Sequence, residues 1–345
     1  MYYNWIEKTN TEELKVICNL IRNGELVIFP TETVYGIGAN ALDENAVGKI
    51  FIAKGRPSDN PLIVHIADKR KIEEIAQDIT EMEQILIDNF MPGPFTLILK
   101  RKKVIPDIVT AGLDTVAVRM PDNIIARGII QFSGVPIAAP SANVSGKPSG
   151  TSVQDIRKEL EGKVSAIVDG GETPIGIEST VVKVVDEIPV ILRPGKVTPE
   201  EIEKVTRIVK IDEKVFSKVD KTDKVESPGM KYRHYAPETK CKVVNFFDEQ
   251  DQIFMLKKII KEYNGDIIVL GFDEHKEKLY LPEDKFMSLG SKKDLEGVAR
   301  NLYSLLRKAD EKKPKVIIIE GVPRKGLGIA IMNRLLRTCE YDCIE

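Results

Sequence analysis

The sequence is poor in the residues that build metal centres and covalent cross-links. It has four cysteines and three histidines among 345 residues. Cys339 and Cys343 lie close together, but no second cysteine or histidine pair stands near them, so no zinc site is predicted. Scarce cysteines in a chain of this length are more typical of reduced thiols than of a disulfide scaffold. We therefore expect a cytoplasmic protein.

Long apolar runs and an excess of charge of one sign are also missing. No stretch approaches the roughly 20 apolar residues that a membrane span requires. The first ten residues, MYYNWIEKTN, lack the basic and apolar regions of a secretion signal. The net charge is −2 and aromatic residues make up 6% of the chain. We therefore expect neither a membrane protein nor a globally basic nucleic-acid binder, although a local basic pocket is compatible with this balance.

The length suits two domains, and the first part of the chain shows an α/β pattern. A helical pattern at 11–23 precedes a buried apolar run at 25–30. Further predicted strands lie at 62–66, 95–100, 116–120, 136–140, 165–169, 179–185 and 190–193. Predicted helices lie at 43–54, 70–89, 122–133 and 152–161. The irregular spacing of the strands predicts a twisted, open, mixed sheet with helices.

The character of the chain changes after Pro199. Residues 200–226 are rich in lysine, glutamate, aspartate and valine, which predicts a short helix followed by an exposed linker. Beyond them, strands are predicted at 241–247, 266–272 and 315–322, and helices at 248–263, 291–310 and 327–338. This alternation predicts a smaller Rossmann-like parallel α/β domain. The predicted boundaries are 1–205, 206–240 and 241–345.

The segment PTETVYGIGANA at 30–41 is the first candidate for chemistry. Gly36 and Gly38 match a relaxed dinucleotide fingerprint, but PTETVY separates them from the strand end, so a tight turn with close backbone packing is the favoured interpretation. Thr31, Glu32 and Thr33 are polar groups where a strand gives way to a loop. Open α/β sheets bind ligands at such strand ends.

The segment KGRPSDNPLIVHI at 54–66 places two cations in a loop. Lys54 and Arg56 suit the oxygens of a polyphosphate, and Asn60 adds a short hydrogen-bonding group. A solvated basic turn is the alternative. His65 lies in an apolar strand and is compatible with a satisfied core histidine.

Three further segments carry polar groups at the ends of apolar runs. Arg119 ends a buried strand and needs an anionic partner, either a ligand or, as the residue types alone favour, a structural carboxylate. PIAAPSANVSGKPSGT at 136–151 is either a phosphate cradle or a surface loop, and it lacks the spacing of a P-loop. Ser179 and Arg193 adjoin two later strands.

Four cations therefore fall near strand ends of one domain: Lys54, Arg56, Arg119 and Arg193. Together with nearby hydroxyl and amide groups they predict a site for a highly anionic small ligand. The chain shows no Ser-His-Asp arrangement, paired-carboxylate signature or metal-ligand cluster, so group transfer is favoured over hydrolysis.

These segments, with PGPFTLIL, VAVRMPD and STVV, resemble in order those of the YrdC-like threonylcarbamoyl-AMP synthases. The resemblance spans about residues 10–205. SPGMKYRHYAP and the C-terminal module are similar to the longer form of that family, which carries an additional Rossmann-like domain. The resemblance implies a nucleotidyltransferase that condenses L-threonine, bicarbonate and ATP to threonylcarbamoyl-AMP and pyrophosphate, for the N6-threonylcarbamoyladenosine modification of tRNA.

The resemblance also implies roles for individual residues. L-threonine would bind to Thr33, His65, Arg119, the backbone at Ala139, and Ser179. ATP, accompanied by Mg²⁺, would bind to Arg56, Asn60, Thr115, Ser141, Ser149, Arg193 and His234. Lys54 and Arg56 would hold bicarbonate or the nascent carbamate as the catalytic cations. The linker, with Tyr232, His234 and Tyr235, would fold over the mouth of the pocket.

The product would pass to a tRNA threonylcarbamoyl-transferase complex, and direct binding of tRNA is not expected. Two other functions compete with this one. An RNA-binding module would need a contiguous basic face. A carbamoyltransferase of hydrogenase maturation would need zinc-binding cysteine clusters. For the C-terminal domain, a purely structural role stays open, and Gly326 and Gly328 fit either a ligand-binding turn or, as favoured, a packed helix start.

Overall fold

The structure is a computed structural model that describes residues 1–5, 10–218, 226–227 and 235–345. The chain divides into two compact units. The first comprises residues 1–145, 149–174 and 178–232, and the second comprises 146–148, 175–177 and 233–345. In the described part of the chain, no helix is long and apolar enough to span a membrane.

The first unit is built on one mixed sheet. Its strands are β1 (Tyr2–Asn4), β2 (Val27–Phe29), β3 (Gly36–Asn40), β4 (Ile63–His65), β5 (Phe95–Lys100), β6 (Thr115–Arg119), β7 (Ile137–Ala138), β8 (Ala166–Asp169), β9 (Thr180–Val185), β10 (Ile188–Arg193) and β11 (Lys210–Ile211). Their spatial order is β1-β8-β2-β3-β7-β4-β6-β5-β9-β10-β11. Strand β4 runs parallel to β6, whereas β5 runs antiparallel to it. The predicted mixed sheet is confirmed.

Helices connect these strands. They are α1 (Thr11–Arg22), α2 (Glu44–Lys54), α3 (Ile72–Ile75), α4 (Glu81–Phe90), α5 (Asp107–Thr110), α6 (Ile124–Ser133), α7 (Val153–Leu160) and α8 (Pro199–Thr206). The side chain of Asp43 caps the first turn of α2. Gly55, with φ of 59°, ends that helix in a left-handed conformation. This stop fixes Lys54 as the last helical residue.

The first unit differs from the predictions at three places. The helix predicted at 70–89 is interrupted, because Ala76 is extended and bridges to Arg101, and Asp78 has a positive φ of 55°. The segment after Pro30 contains a strand, β3, which the turn-like composition concealed. Part of the predicted linker also differs, since β11 pairs with β10 at the edge of the sheet.

The main hydrophobic core lies on one face of this sheet. Val64, Leu97, Val118 and Val182 contribute to it from four neighbouring strands. Because side chains alternate along a strand, the residues between them face the other side. There, Ile63, Ile98, Ala117, Val181 and Leu192 form a separate small apolar cluster. This second face carries the candidate site.

The second unit contains a parallel sheet, as predicted. Its strands are β12 (Cys241–Val244), β13 (Ile267–Phe272), β14 (Phe286–Gly290), β15 (Val316–Glu320) and β16 (Cys343–Ile344), in the order β14-β13-β15-β12-β16. Its helices are α9 (Glu249–Glu262), α10 (Lys276–Leu279), α11 (Leu295–Glu311) and α12 (Leu327–Thr338). All pairings are parallel. Strands β14 and β16 were not predicted.

Candidate functional site

The sheet topology brings polar side chains together on the second face of the first unit. His65 and Arg119 are register partners at the carboxyl ends of the parallel strands β4 and β6. Because side chains alternate along a strand, His65 lies on the same face of the sheet as Ile63. For the same reason, Arg119 lies on the same face as Ala117 and Thr115. The floor of the site is therefore apolar in its centre and polar at the strand ends.

Arg119 is held by the turn that follows β2. Its Nη1 donates to Thr33 Oγ1 at 2.9 Å, and its Nη2 lies 2.6 Å from Glu32 Oε1. The Thr31 hydroxyl donates to the Val34 carbonyl and thereby closes this turn. The structural carboxylate favoured for Arg119 is therefore present, and it is Glu32.

The guanidinium of Arg119 nevertheless keeps hydrogen-bonding capacity. Within the described residues, its Nε has no hydrogen-bond partner, and the Glu32 contact lacks hydrogen-bond alignment. Arg119 is only 4% exposed. A buried donor without an acceptor is unfavourable unless a ligand supplies one. The site can thus accept a carboxylate beside Thr33.

His65 is a neutral group in this site. Burial and, next, the neighbouring Arg119 lower its pKa to about 3. The Nδ1 atom lies 3.2 Å from the carbonyl of Ile63. The imidazole can therefore exchange hydrogen bonds with a ligand near neutral pH, but it carries no charge there.

Lys54 reaches the loop that follows β7 from the end of α2. It is only 2% exposed, and its Nζ donates to the carbonyls of Ser141 and of Asn143, the latter at 2.6 Å. Burial, and then the positive charge of Arg56, hold the pKa of Lys54 well below its usual range. Lys54 thus fixes the Ser141–Asn143 turn.

The loop between α2 and β4 contains the least satisfied polar side chain of the site. Asn60 is 1% exposed, and within the described chain neither its Oδ1 nor its Nδ2 has a hydrogen-bond partner. Arg56 Nη2 donates to the carbonyls of Asn60 and Pro61 at 3.3 and 3.1 Å and holds this loop in place. A buried amide that offers both a donor and an acceptor is suited to a polar ligand.

Ser179 and Arg193 form a second hydrogen-bonded group near the start of β9. Arg193 donates from Nε and Nη2 to the Ser179 carbonyl, at 3.2 and 3.1 Å, and from Nη2 to the Ser179 hydroxyl at 3.2 Å. Thr96 Oγ1 lies 2.8 Å from Ser179 Oγ. A side chain at Gly195 would meet the backbone of Ser179 and Thr180, so this position must be glycine for the two segments to cross.

The other residues predicted to bind substrate, Ala139, Ser149 and Thr115, lie at three separate places in the first unit. Ala139 follows β7, where its amide donates to the Ile63 carbonyl at 3.0 Å. Ser149 donates to Glu178 Oε1 at 2.5 Å. Thr115 begins β6 and so lies at the opposite end of that strand from Arg119, about 13 Å away at the rise of a strand.

The proposed lid is only partly described. Tyr232 and His234 lie outside the described residues. Tyr235 is buried in the second unit, where its ring stacks on Tyr303 at a centroid distance of 5.4 Å and lies against the guanidinium of Arg334. Its carbonyl accepts a hydrogen bond from Thr338 Oγ1 at 3.2 Å.

The structure also settles the interpretation of the glycines in the first motif. Gly36 and Gly38 lie in β3, which pairs antiparallel with β2, and not at a strand-to-helix turn. A side chain at Gly38 would meet the ring of Phe29 at 2.5 Å and Ile137 at 2.8 Å. The predicted close packing is therefore confirmed, whereas the predicted tight turn is wrong, because both glycines lie in a strand.

Sequence reasoning did not assign roles to four residues that support the site: Glu32, Thr96, Asn143 and Glu178. Glu32 and Asn143 stand within segments that were already candidates, and Glu178 directly precedes Ser179. Nothing in the sequence pointed to a role for Thr96, because threonine is common in strands.

Comparison with known proteins agrees with this geometry. Residues 19–195 match the Sua5, YciO and YrdC family model, which is described as telomere recombination. Residues 197–339 match the model described as threonylcarbamoyl-AMP synthase, C-terminal domain.

Similar proteins extend over nearly the whole chain. The threonylcarbamoyl-AMP synthase of Pyrococcus abyssi is 46% identical over 98% of this chain and 97% of its own length. That of Bacillus subtilis is 46% identical over 95% and 93%, respectively. The crystal structure of P. abyssi Sua5 complexed with L-threonine superimposes with a TM-score of 0.93 at 45% identity, covering 100% of this chain and 99% of that one. The chain belongs to the threonylcarbamoyl-AMP synthase family.

Proposed function

We propose that this chain condenses L-threonine, bicarbonate and ATP to threonylcarbamoyl-AMP and pyrophosphate on the second face of the first unit. Curated relatives of nearly full length carry the name of this activity. The observation that carries the proposal is that two buried groups, Arg119 Nε and the Asn60 amide, lack hydrogen-bond partners among the described residues.

L-threonine is proposed to bind at the Arg119 end. Its carboxylate would accept from Arg119, and its hydroxyl and amine would exchange hydrogen bonds with Thr33, His65 and Ser179. A neutral His65 suits this arrangement, because a second positive charge beside Arg119 would repel the substrate ammonium. The P. abyssi relative, solved with L-threonine, supports the assignment.

ATP is proposed to occupy the apolar floor and the loops around it. An adenine ring can cover Ala117 and Val181, while the phosphates reach the cations and hydroxyl groups at the strand ends. The proposed phosphate ligands are Arg56, Asn60, Ser141, Ser149 and Arg193. Thr115 lies at the far end of β6, where the extended nucleotide can reach it. His234 remains an expected ligand outside the described residues.

The chemistry follows two steps. The threonine amine attacks the bicarbonate carbon, and loss of water leaves a carbamate. A carbamate oxygen then attacks the α-phosphorus of ATP, the bond to the β-phosphate oxygen breaks, and pyrophosphate leaves. Both steps depend on positioning and charge neutralisation more than on acid–base catalysis.

The residues of this chain supply those effects in distinct ways. Lys54 holds the Ser141–Asn143 turn in place through its two hydrogen bonds. Arg56 lies next to Lys54 and is proposed to neutralise the carbamate and the departing phosphates. Mg²⁺ is proposed to arrive on the triphosphate and to neutralise part of its charge. Its ligands there would be phosphate oxygens, which match its preference for oxygen donors.

The proposed setting is the cytoplasm, which the four free thiols support. The product is proposed to pass to a tRNA threonylcarbamoyl-transferase complex, since a mixed anhydride of this kind hydrolyses unless it is consumed. We do not propose direct binding of tRNA.

Pyrophosphate release tests the proposal. It should require ATP, L-threonine and bicarbonate together, and it should collapse in Arg56→Ala. The control Arg70→Ala removes an exposed arginine that pairs with Asp68 and should retain full release. Pyrophosphate release that does not depend on L-threonine would mean that another amine is the substrate. No release from folded protein under any condition would contradict the enzyme function.

A further inference from the structure

The second unit has a cleft of about 510 Å³ at the carboxyl ends of its strands. From β12 the chain moves outward to β13 and β14, and then returns to place β15 between β12 and β13. Connections from neighbouring strands therefore leave in opposite directions beside β15. Such a reversal opens a crevice, and open parallel sheets bind ligands there.

A buried glutamate–histidine pair forms the base of this cleft. Glu320 is fully buried at the end of β15, and its Oε2 lies 2.6 Å from Nδ1 of His275. Glu320 also accepts from the Phe272 amide at 3.2 Å and from the Gln252 side chain at 3.3 Å. These contacts fix both the carboxylate and the orientation of the imidazole.

The other ring nitrogen of His275 is available to a ligand. His275 is 3% exposed and lines the cleft, and within the described residues its Nε2 has no hydrogen-bond partner. The nearest carboxylate oxygen, Glu249 Oε2, lies at 3.8 Å, beyond hydrogen-bond distance. Nε2 can therefore exchange a hydrogen bond with a hydroxyl group of a ligand.

The lining also includes an aromatic ring, two cations and the carboxylates of Glu249 and Glu345. Phe247 follows β12 and is fully exposed, so its face is free for stacking. Lys292 binds Glu249 at 2.5 Å, but Glu249 is also bound by Lys278, which does not line the cleft. The Lys292 ammonium can therefore leave Glu249 and bind an anionic ligand, because Glu249 keeps its ion pair with Lys278. Arg324, in the loop after β15, adds a second cation, which forms an ion pair with Glu345 and would bind a phosphate in exchange for it.

We propose that this cleft binds a nucleotide, with its base on Phe247, a sugar hydroxyl on His275 Nε2 and its phosphate near Lys292 and Arg324. Its volume is within the range of small-ligand sites. The inference does not depend on the function proposed for the first unit.

The test uses the full chain with Phe247→Trp as a fluorescent reporter and with Arg56→Ala to weaken nucleotide binding in the first unit. The native Trp5 is buried in the first unit and gives a constant background. AMP should cause saturable quenching. Adding His275→Gln should weaken AMP binding about tenfold or more, and so should Lys292→Gln at a part-exposed position where folding is not at risk.

The matched control is Phe254→Trp, at an exposed phenylalanine of α9 that does not line the cleft, and it should show no saturable change. Inorganic phosphate alone should bind at least tenfold more weakly than AMP. Absence of saturable quenching up to millimolar AMP would overturn the proposal. Equal binding of phosphate and AMP, or binding unaffected by both His275→Gln and Lys292→Gln, would also overturn it.

Discussion

Arg119 and His65 are paired positions of two parallel strands, and the permanent charge of the first helps to keep the second neutral. Burial has the larger effect on the His65 pKa, and the guanidinium adds to it. Arg119 thus supplies the positive charge at this end of the site, and His65 supplies an uncharged hydrogen-bonding group.

We predict that His65 makes the first unit acid-sensitive. The pKa is about 3 in the folded chain and about 6.5 when unfolded, so the unfolded state binds more protons between these values. Stability should therefore fall as pH drops from about 6.5 toward 3, by up to about 1.4 kcal/mol per pH unit. His65→Asn should flatten this part of a calorimetric stability profile. An unchanged slope in the variant would contradict the assignment.

We predict that Arg119→Lys mainly affects the use of threonine. A lysine keeps the charge but cannot bind Thr33, Glu32 and a carboxylate in one plane. The KM for L-threonine should rise about tenfold to a hundredfold, while the KM for ATP changes little. Arg127→Lys, at a part-exposed arginine of α6, is the control and should behave as the unaltered protein. Equal rises in both KM values would place Arg119 outside the threonine site.

We predict that Asn60→Leu raises stability while impairing the use of ATP. The Asn60 amide has no partner among the described residues, so an apolar side chain of similar size removes a penalty of about 1–3 kcal/mol. Thermal unfolding should occur at a higher temperature, and the KM for ATP should rise about tenfold or more.

Asn143→Leu is the matched control for that prediction. The Asn143 side chain accepts from Ser141 Oγ at 2.6 Å and donates to the Val144 carbonyl at 2.8 Å, so its replacement should destabilise the protein. Destabilisation by both substitutions would show that Asn60 is satisfied in the free protein.

We predict that Gly195→Ala disrupts the Ser179–Arg193 group. A Cβ there would lie 2.3 Å from the Thr180 amide nitrogen and 2.5 Å from the Ser179 carbonyl carbon, so the backbone must move. The kcat/KM for pyrophosphate release should fall about a hundredfold. Gly128→Ala, in α6 with open space around it, should leave activity unchanged and stabilise the protein by about 0.5–1 kcal/mol. Full activity of Gly195→Ala would contradict the required crossing.

Local sequence was enough to predict most of the elements and the segments that carry the site. Short apolar runs marked strands such as β5 and β6, and the polar groups that follow β2 and β7 fell where open sheets bind ligands. The same approach missed β3, because its glycines resemble a turn and its pairing depends on Phe29 and Ile137, which are distant in sequence from one another. It also joined two helices across Ala76, whose extended conformation is stabilised by pairing with Arg101.

The sequence by itself determined the α/β class, the existence of a second parallel module and the set of cations available to an anionic ligand. Only the tertiary structure decided which face of the sheet carries Arg119 and His65, because strands buried on both sides show no alternation of polar and apolar residues. It alone assigned Glu32 to Arg119 and showed that the Asn60 amide has no partner in the described part of the chain. Hydrogen-bond satisfaction depends on contacts between segments far apart in the chain, and no local pattern encodes those contacts.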